Sequence, residues 1–350
     1  MGGLTIERVG EEGAEALREF LHCSADADFF HTPEWHTVVR ATYGHPCDYW
    51  VARDGAAIVG AFPVVAMRHP LLGTKMVAMP YQYYSGLPIA ADTRVQIELV
   101  QHAIARAQEA GAQYLEIRNH AAAPFLEGLG FVPLDSQLVT TTAPLEGLTL
   151  KQIFRGHRQY VGYARKRGVQ IVEGRALADL QAFRAFYRVE GRQQGSPQAG
   201  WRYFENLHRH AGAHYRLLLA VASDECLGGL LTLDDGRTVF LRSTACNTAV
   251  GRKLHISKEL LWHSMSDAAA RGCRQYNFGI SWSGNRGLIA FKEGWNGTSH
   301  PVHVYVYPIR SRPSAPGRYF EGFGLAKTVW RRLPLPIVDR IGHHVTRWVG

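Results

Sequence analysis

The 350-residue chain predicts a mixed α/β protein made of two like lobes in tandem, followed by a basic amphipathic tail. Three observations carry this. The length suits about two domains. A pattern of strands and helices recurs at a lag of roughly 160 to 170 residues. Each copy contains a helix stopped by glycine and followed by a short apolar strand, the order expected of an α/β unit.

The first copy begins with Tyr49 to Val65, which reads as an apolar strand, a D-G turn and a second apolar strand. A helical stretch, Val95 to Ala110, ends at Gly111 and leads into the strand Tyr114 to Ile117, then Phe125-Leu126-Glu127-Gly128 and Phe131. In the second copy, Tyr215 to Leu233 repeats the strand pair. Lys258 to Ala270 ends at Gly272, and Gln275 to Phe278 precedes Phe291-Lys292-Glu293-Gly294 and Trp295. Leu126 of the first F-x-E-G is replaced by Lys292 in the second. An ammonium thus stands where the other copy keeps an apolar side chain, which points to chemistry in the second copy.

Net charge is +9 and is concentrated in two places. Lys151 to Gly168 contributes +6 with no acid, and Arg310 to Gly350 another +6, leaving the remainder at -3. Such elements attract phosphates, whether in RNA, nucleotide-linked precursors or an anionic membrane surface. Arg158, Arg165, Lys166 and Arg167 in the first segment, with Arg252 and Lys253 ahead of the second-copy helix, are the expected contacts. The expected organisation is an N-terminal domain at 1–150, a basic linker helix at 151–168, a C-terminal domain at 169–309 and the tail at 310–350. In the linker, Ile153, Phe154, Tyr160 and Val161 are expected to pack while the cations face outward. The tail mixes aromatic and basic residues in the manner of an interfacial segment.

Several classes are excluded. No apolar run reaches the 18 or more residues of a membrane span, and MGGLTIERVGEEG lacks the basic and apolar regions of a secretory signal. Five widely spaced cysteines without C-x-x-C fit a reduced, cytoplasmic protein. His208, His210 and His214 have no H-E-x-x-H and no acid or thiol at ligand spacing, so no metal is expected. Walker A, G-x-G-x-x-G and the G-x-S-x-G elbow are absent.

In order along the chain, F-x-x-x-P-E-W (Phe29 or Phe30, Pro33, Glu34, Trp35), Gly44-His45, Val59-Gly60 with Pro63, Met79-Pro80-Tyr81 to Gly86, the basic stretch Arg158 to Gly168, Phe186-Tyr187, Gly195-Ser196-Pro197, Asn277-Phe278-Gly279 and Phe291-Lys292 with Trp295 resemble the FemAB-like transferases, a family built from two tandem GNAT-type acyltransferase domains. The tail W-R-R-L-P-L-P, Trp330 to Pro336, resembles that of members associated with exopolysaccharide and exosortase loci, a bacterial envelope setting. The chain departs from the family pattern in having Asn277-Phe278-Gly279-Ile280-Ser281 in place of D-x-G-R-S, and Leu254-His255-Ile256-Ser257 in place of a Pro-Asn pair.

The resemblance implies two GNAT-like domains, each a mixed twisted sheet flanked by helices. It also implies transfer of an aminoacyl or acyl group to an amine of a peptidoglycan or exopolysaccharide precursor at the cytoplasmic membrane face. The donor is aminoacyl-tRNA or acyl-CoA, and no cofactor is bound. The Q/R-x-x-G-x-G/A loop that grips acyl-CoA is absent from both halves. Lys292 is the expected catalytic residue, supplying charge to an oxyanion or a phosphate. Tyr81, Gln82, Tyr83, Tyr84 and Gly86 are expected to line the acceptor groove, with Trp35, Arg192, Phe291 and Trp295 as further substrate contacts. The competing reading is a non-catalytic, membrane-associated binding module of a polysaccharide assembly system.

Overall fold

The computed structural model describes residues 4–69, 73–82, 84–311 and 324–349. The chain divides into two compact units. Unit 1 holds Met1–Leu138 and takes in the chain again from Pro301, and unit 2 holds Val139–His300 and Glu321–Arg347.

The sheet of unit 1 contains β1 (Thr5–Arg8), β2 (Cys47–Asp54), β3 (Ala57–His69), β4 (Gly73–Ala78), β5 (Ile89–Ala90), β6 (Tyr114–Asn119), β7 (Val132–Leu134) and a strand from late in the chain, His303–Pro308. Its order is β1-β2-β3-β4-β6-(303–308)-β7, with β5 on β3. The D-G turn expected at Asp54-Gly55 joins β2 to β3, which are antiparallel. Neighbours β4 and β6 are instead parallel, with Met76 opposite Leu115. A parallel pair needs a crossover, and helix Thr93–Glu109 supplies it. Asp92 caps this helix by accepting from the Arg94 N–H at 2.8 Å. Leu99, Val100, Ala103, Ile104 and Ala107 fall on its buried face at helical spacing. On the other side of the sheet, Leu17 and Leu21 of helix Ala14–Cys23 pack on Val51 and Ala61.

Unit 2 repeats the plan. Its strands are β8 (Leu138–Pro144), β9 (Gln170–Gly174), β10 (Tyr215–Ala222), β11 (Glu225–Asp234), β12 (Thr238–Cys246), β13 (Gln275–Trp282) and β14 (Thr298–Pro301), ordered β14-β8-β13-β12-β11-β10-β9. Strands β12 and β13 are the parallel pair, and helix Ile256–Ala270 is the crossover. Its Ile256, Leu260, Leu261, Met265 and Ala268 join Leu230, Val239, Tyr276 and Trp295 in one core. Helix Leu177–Gln194 packs against β11 and β12.

Two expectations are corrected. The units are not contiguous in sequence: the strand 303–308, expected in the C-terminal domain, lies between β6 and β7 of unit 1, while β8 belongs to the second sheet. An alternating apolar strand such as His303-Val-Tyr-Val-Tyr carries no local mark of which sheet it joins. Nor is 151–168 one helix. It consists of a 3-10 turn at Leu150–Gln152, a single helical turn at Arg155–Arg158 and another 3-10 turn at Arg165–Arg167. Gly162 breaks it by adopting φ of 80°, a conformation that a continuing helix excludes. Ile153 is buried as expected, but Phe154 is 63% exposed.

This segment is tied to unit 2 through Glu259, a carboxylate only 1% exposed. It accepts from the Gly162 N–H at 2.5 Å and pairs with Arg165 Nε at 2.6 Å. Lys258 Nζ donates to the Gly156 carbonyl at 3.0 Å. Replacing a buried, paired carboxylate strands its partners. Glu259→Gln is therefore expected to cost about 2 kcal/mol, with faster amide exchange over 155–168; unchanged exchange there would show that the contact is dispensable.

The described tail consists of helices Gly324–Arg332 and Leu335–Val349. Val338 is buried, while Val329, Ile337 and Ile341 are exposed. Among the described residues, no helix is long and apolar enough to cross a membrane.

Candidate functional site

Strands β12 and β13 pair from Thr238 opposite Gln275 to Phe240 opposite Asn277. Beyond that register β12 runs on to Cys246 and β13 to Trp282, so the two strands part and leave backbone groups of β13 in need of partners. Asn277, 2% exposed, turns the chain at this point. Its Oδ1 accepts from the Gly279 N–H at 2.7 Å and from the Thr140 hydroxyl at 3.3 Å. Gly279 sits at φ of 70°, which glycine reaches without the Cβ clash of other residues. The kink brings two successive carbonyls to one side.

Lys292 satisfies both. It lies in the last turn of helix Arg286–Glu293 and is 6% exposed. Its Nζ donates to the Gly279 carbonyl at 3.0 Å and to the Ile280 carbonyl at 2.9 Å. Among the described residues, no carboxylate pairs with it. Burial accordingly pushes its pKa down to about 8, because the charged form loses hydration without a counter-ion. Two carbonyls use two N–H groups, and the protonated amine keeps a third. The chemistry available is a positive charge, or near pH 8 a transferable proton, at the parting of two strands.

A stability profile follows from this shift. The folded pKa lies below the ordinary 10.5, so between about pH 8 and 10.5 the unfolded chain binds more protons and stability rises with pH. Below pH 8 the cost of the charge, about 3 kcal/mol, is fully present. Lys75 in unit 1, also lowered to about 8 by burial, contributes in the same window. Lys292→Met should therefore flatten the rise without abolishing it, as denaturant titrations at pH 7, 8, 9 and 10 would show; an unchanged slope would contradict the buried charge.

Phe291 and Trp295, named with Lys292 from the sequence, both lie against His157. Trp295 is fully buried and stacks on His157, with ring centroids 5.0 Å apart and planes at 21°. Phe291 is half-buried beside the same imidazole at 4.9 Å. His157 Nε2 lies 2.9 Å from the Phe291 carbonyl, and burial lowers its pKa. Trp295 is thus a core residue backing the site rather than a ligand contact. Arg192 is half-buried in the last turn of helix Leu177–Gln194.

The cations flagged in the sequence fall into different settings. Arg165 is held by Glu259, and Arg167 lies over the Tyr163 ring at 3.5 Å and donates to the Tyr163 carbonyl. Arg158 reaches the Lys151 carbonyl at 3.3 Å, and Lys166 is exposed. Arg252 and Lys253 end a short helix, Thr248–Leu254, that occupies the connection between β12 and helix Ile256–Ala270. His208 Nδ1 meets the Tyr215 hydroxyl, and His214 Nδ1 the Asp234 carbonyl.

In unit 1, Tyr81, Gln82 and Tyr84 of the aromatic stretch are held in place. Gln82 is 4% exposed, with its Oε1 accepting from the N–H groups of Tyr84 and Ser85 and its Nε2 donating to the Ser85 carbonyl. Tyr84 stacks on His120 at 4.2 Å, and Tyr81 on Tyr43 at 4.4 Å. Tyr83 lies outside the described residues. Gly86 runs so close to β6 that a Cβ there would stand 2.3 Å from the Arg118 carbonyl oxygen. Trp35, 1% exposed between Phe29 and Phe30 at 5.8 and 5.1 Å, is a core anchor and is corrected from a substrate contact.

Sequence reasoning missed the buried polar groups of unit 1. Asp28 accepts from the Ser85 hydroxyl at 2.6 Å and lies 2.9 Å from His31 Nδ1, while Glu116 and Arg118 form a buried ion pair on β6. It also missed Glu190 in unit 2, whose pKa burial raises against the pull of the Cys246 N–H and Arg252. The alternation of Glu116 and Arg118 in an otherwise apolar strand was the one legible signal.

Residues 151–292, which contain Asn277, Gly279 and Lys292, match the family model for an acetyltransferase (GNAT) domain. No curated protein matches the chain. Among solved structures, that of FemX superposes with a TM-score of 0.72 at 16% identity, covering 87% of this chain and 98% of its own. A tandem GNAT protein from the clavulanic acid biosynthesis pathway gives a TM-score of 0.53 at 14% identity, covering 89% and 100%. L-PGS from Bacillus licheniformis gives 0.57 at 12% identity, covering 98% of each chain. Residues 151–292 therefore form an acetyltransferase (GNAT) domain, and the chain as a whole shares the fold of FemX and of the tandem GNAT protein.

Proposed function

We propose that the protein is an N-acyltransferase that moves an aminoacyl or acyl group from aminoacyl-tRNA or acyl-CoA to an amine on a peptidoglycan or exopolysaccharide precursor at the cytoplasmic face of the membrane. The observation that carries this reading is the buried ammonium of Lys292 at the parting of β12 and β13, within the GNAT segment. In the reaction, the neutral amine attacks the donor carbonyl and a C–N bond forms. The ester C–O or thioester C–S bond breaks, and the amine proton leaves with the departing oxygen or sulfur. Negative charge develops on the carbonyl oxygen, and a preorganised cation in a water-poor site stabilises it. Positioning of the two reactants supplies much of the remaining acceleration.

The donor's phosphates need cations. Arg252 and Lys253 beside the Lys292 domain's central helix, with Lys166, offer them to either donor. The short helix Thr248–Leu254 precedes the central helix, and its cations suit the phosphates of either donor. The exposed apolar residues of the tail, Ile337 and Ile341, support a position at a membrane surface.

Purified protein incubated with labelled aminoacyl-tRNA or acyl-CoA, together with amino-sugar and muropeptide acceptors, tests the reading. Transfer to an amine from one of the two donors is the expected result. No transfer with any combination would overturn it.

A further inference from the structure

We propose that unit 2 carries a second binding site, for a phosphate group, in a cavity that its tail helix forms with two helices of the GNAT domain. The cavity has a volume of about 510 Å³. Its walls are Arg184 and Arg188 from helix Leu177–Gln194, Trp201 and Arg202 from the start of helix Trp201–His210, and Asp339, Arg340 and His343 from helix Leu335–Val349. These fall on single helix faces: 184 and 188 are four residues apart, as are 339 and 343. Four guanidiniums thus face one carboxylate. Burial and neighbouring cations lower the His343 pKa, so the imidazole does not add to the charge at neutral pH.

On Arg184 and Arg188 the donors exceed the acceptors. Asp339 takes Arg184 Nη2 at 3.4 Å and Arg188 Nη2 at 3.1 Å. The Nε groups of both arginines are buried and have no hydrogen-bond partner. A buried N–H on a cation is costly to leave unpaired, and arginine forks match the geometry of phosphate oxygens. Arg202 and Arg340 stand exposed at the rim, where they would meet an anion first. The tail helix is built to lie close: a Cβ on Gly200 would come within 3.0 Å of the His343 Cβ, and one on Gly342 within 2.9 Å of the Gln198 carbonyl oxygen. The cavity is thus a product of tail docking.

The phosphate has two chemical sources, a lipid headgroup or a soluble phosphate compound. Ile337 and Ile341 are 44% and 41% exposed on the helix that carries Arg340, an arrangement suited to a headgroup in the cavity with apolar side chains among the acyl chains. None of the cavity residues belongs to the Lys292 site, and the test is independent of acyl transfer.

Inorganic phosphate titrated into the full chain at constant ionic strength, with chloride as the reference, reads the site directly. Saturable binding is expected, at least tenfold weaker in Arg340→Gln and in Arg202→Gln, and unchanged in Arg331→Gln, a cation of the preceding tail helix outside the cavity. Thermal melts of each variant confirm that it is folded. Absence of saturable binding, or equal weakening in Arg331→Gln, would overturn the proposal. The source is read by co-sedimentation with vesicles of phosphatidylcholine alone or with phosphatidic acid. Sedimentation only with phosphatidic acid, competed by inorganic phosphate and lost in Arg340→Gln, assigns a lipid headgroup. Phosphate binding without sedimentation assigns a soluble ligand, and both outcomes uphold the cavity.

Discussion

Lys292→Met is expected to lower kcat/KM for acyl transfer by 100-fold or more, about 3 kcal/mol, the size of effect seen when one preorganised electrostatic contact to a developing oxyanion is removed. The loss should fall on kcat, because the charge acts on the transition state more than on bound substrate. Methionine matches the lysine stem in length and apolar character, so the core around Trp295 and Tyr276 stays filled. The Gly279 and Ile280 carbonyls lose their donor, and that costs about 1–3 kcal/mol of stability, partly offset by removing the desolvated charge. Lys292→Arg should not restore the rate: the guanidinium stays charged at all accessible pH and is too broad for a site that converges on a single nitrogen. A single-turnover assay with matched protein concentrations checks both. Full activity in Lys292→Met would remove Lys292 from the mechanism and leave it as a plug for the parted strands.

Gly86→Ala should destabilise unit 1 by about 3 kcal/mol or more, because the new methyl would stand 2.3 Å from the Arg118 carbonyl oxygen and 3.1 Å from its nitrogen. The colliding atoms are backbone within a sheet, so relief requires moving either β6 or the loop. The loop is held by the Gln82 network, by Tyr84 on His120 and by the Ser85 hydroxyl on Asp28. Chemical denaturation monitored by tryptophan fluorescence reports the change in midpoint. A shift below 1 kcal/mol would show that the loop is free to lift away, and the description of Gln82, Tyr84, Ser85 and Gly86 as fixed would fail.

The sequence was most informative where a local rule suffices. The helices 93–109 and 256–270 were legible because apolar residues recur at helical spacing and a glycine follows each end. The D-G turn located β2 and β3. The comparison of Leu126 with Lys292 singled out the one position of F-x-E-G where a buried apolar residue in unit 1 corresponds to a buried ammonium in unit 2. What stayed hidden depends on partners distant in sequence. Nothing near Glu190 shows that its carboxyl will sit against the Cys246 N–H. Nothing near Arg184 and Arg188 shows that Asp339, about 150 residues later, will pair with both. Trp35 read as a ligand contact because a motif names a residue without giving its depth. The linker misled for a different reason: its cations suggested an exposed helix, whereas Gly162 and the buried Glu259 make a strapped turn.

The strand 303–308 lies between β6 and β7, which sets an order of events during synthesis. With residues emerging at about 5–20 per second, β6 and β7 leave the ribosome roughly 10 to 35 seconds before the strand that must bridge them. The half that is translated first is consequently the half whose sheet closes last, after nearly all of the second half has been made. A released fragment ending at Pro301 should hold every strand of the second sheet and a first sheet with an unfilled gap, and a chaperone that shields open strand edges would find its binding site there.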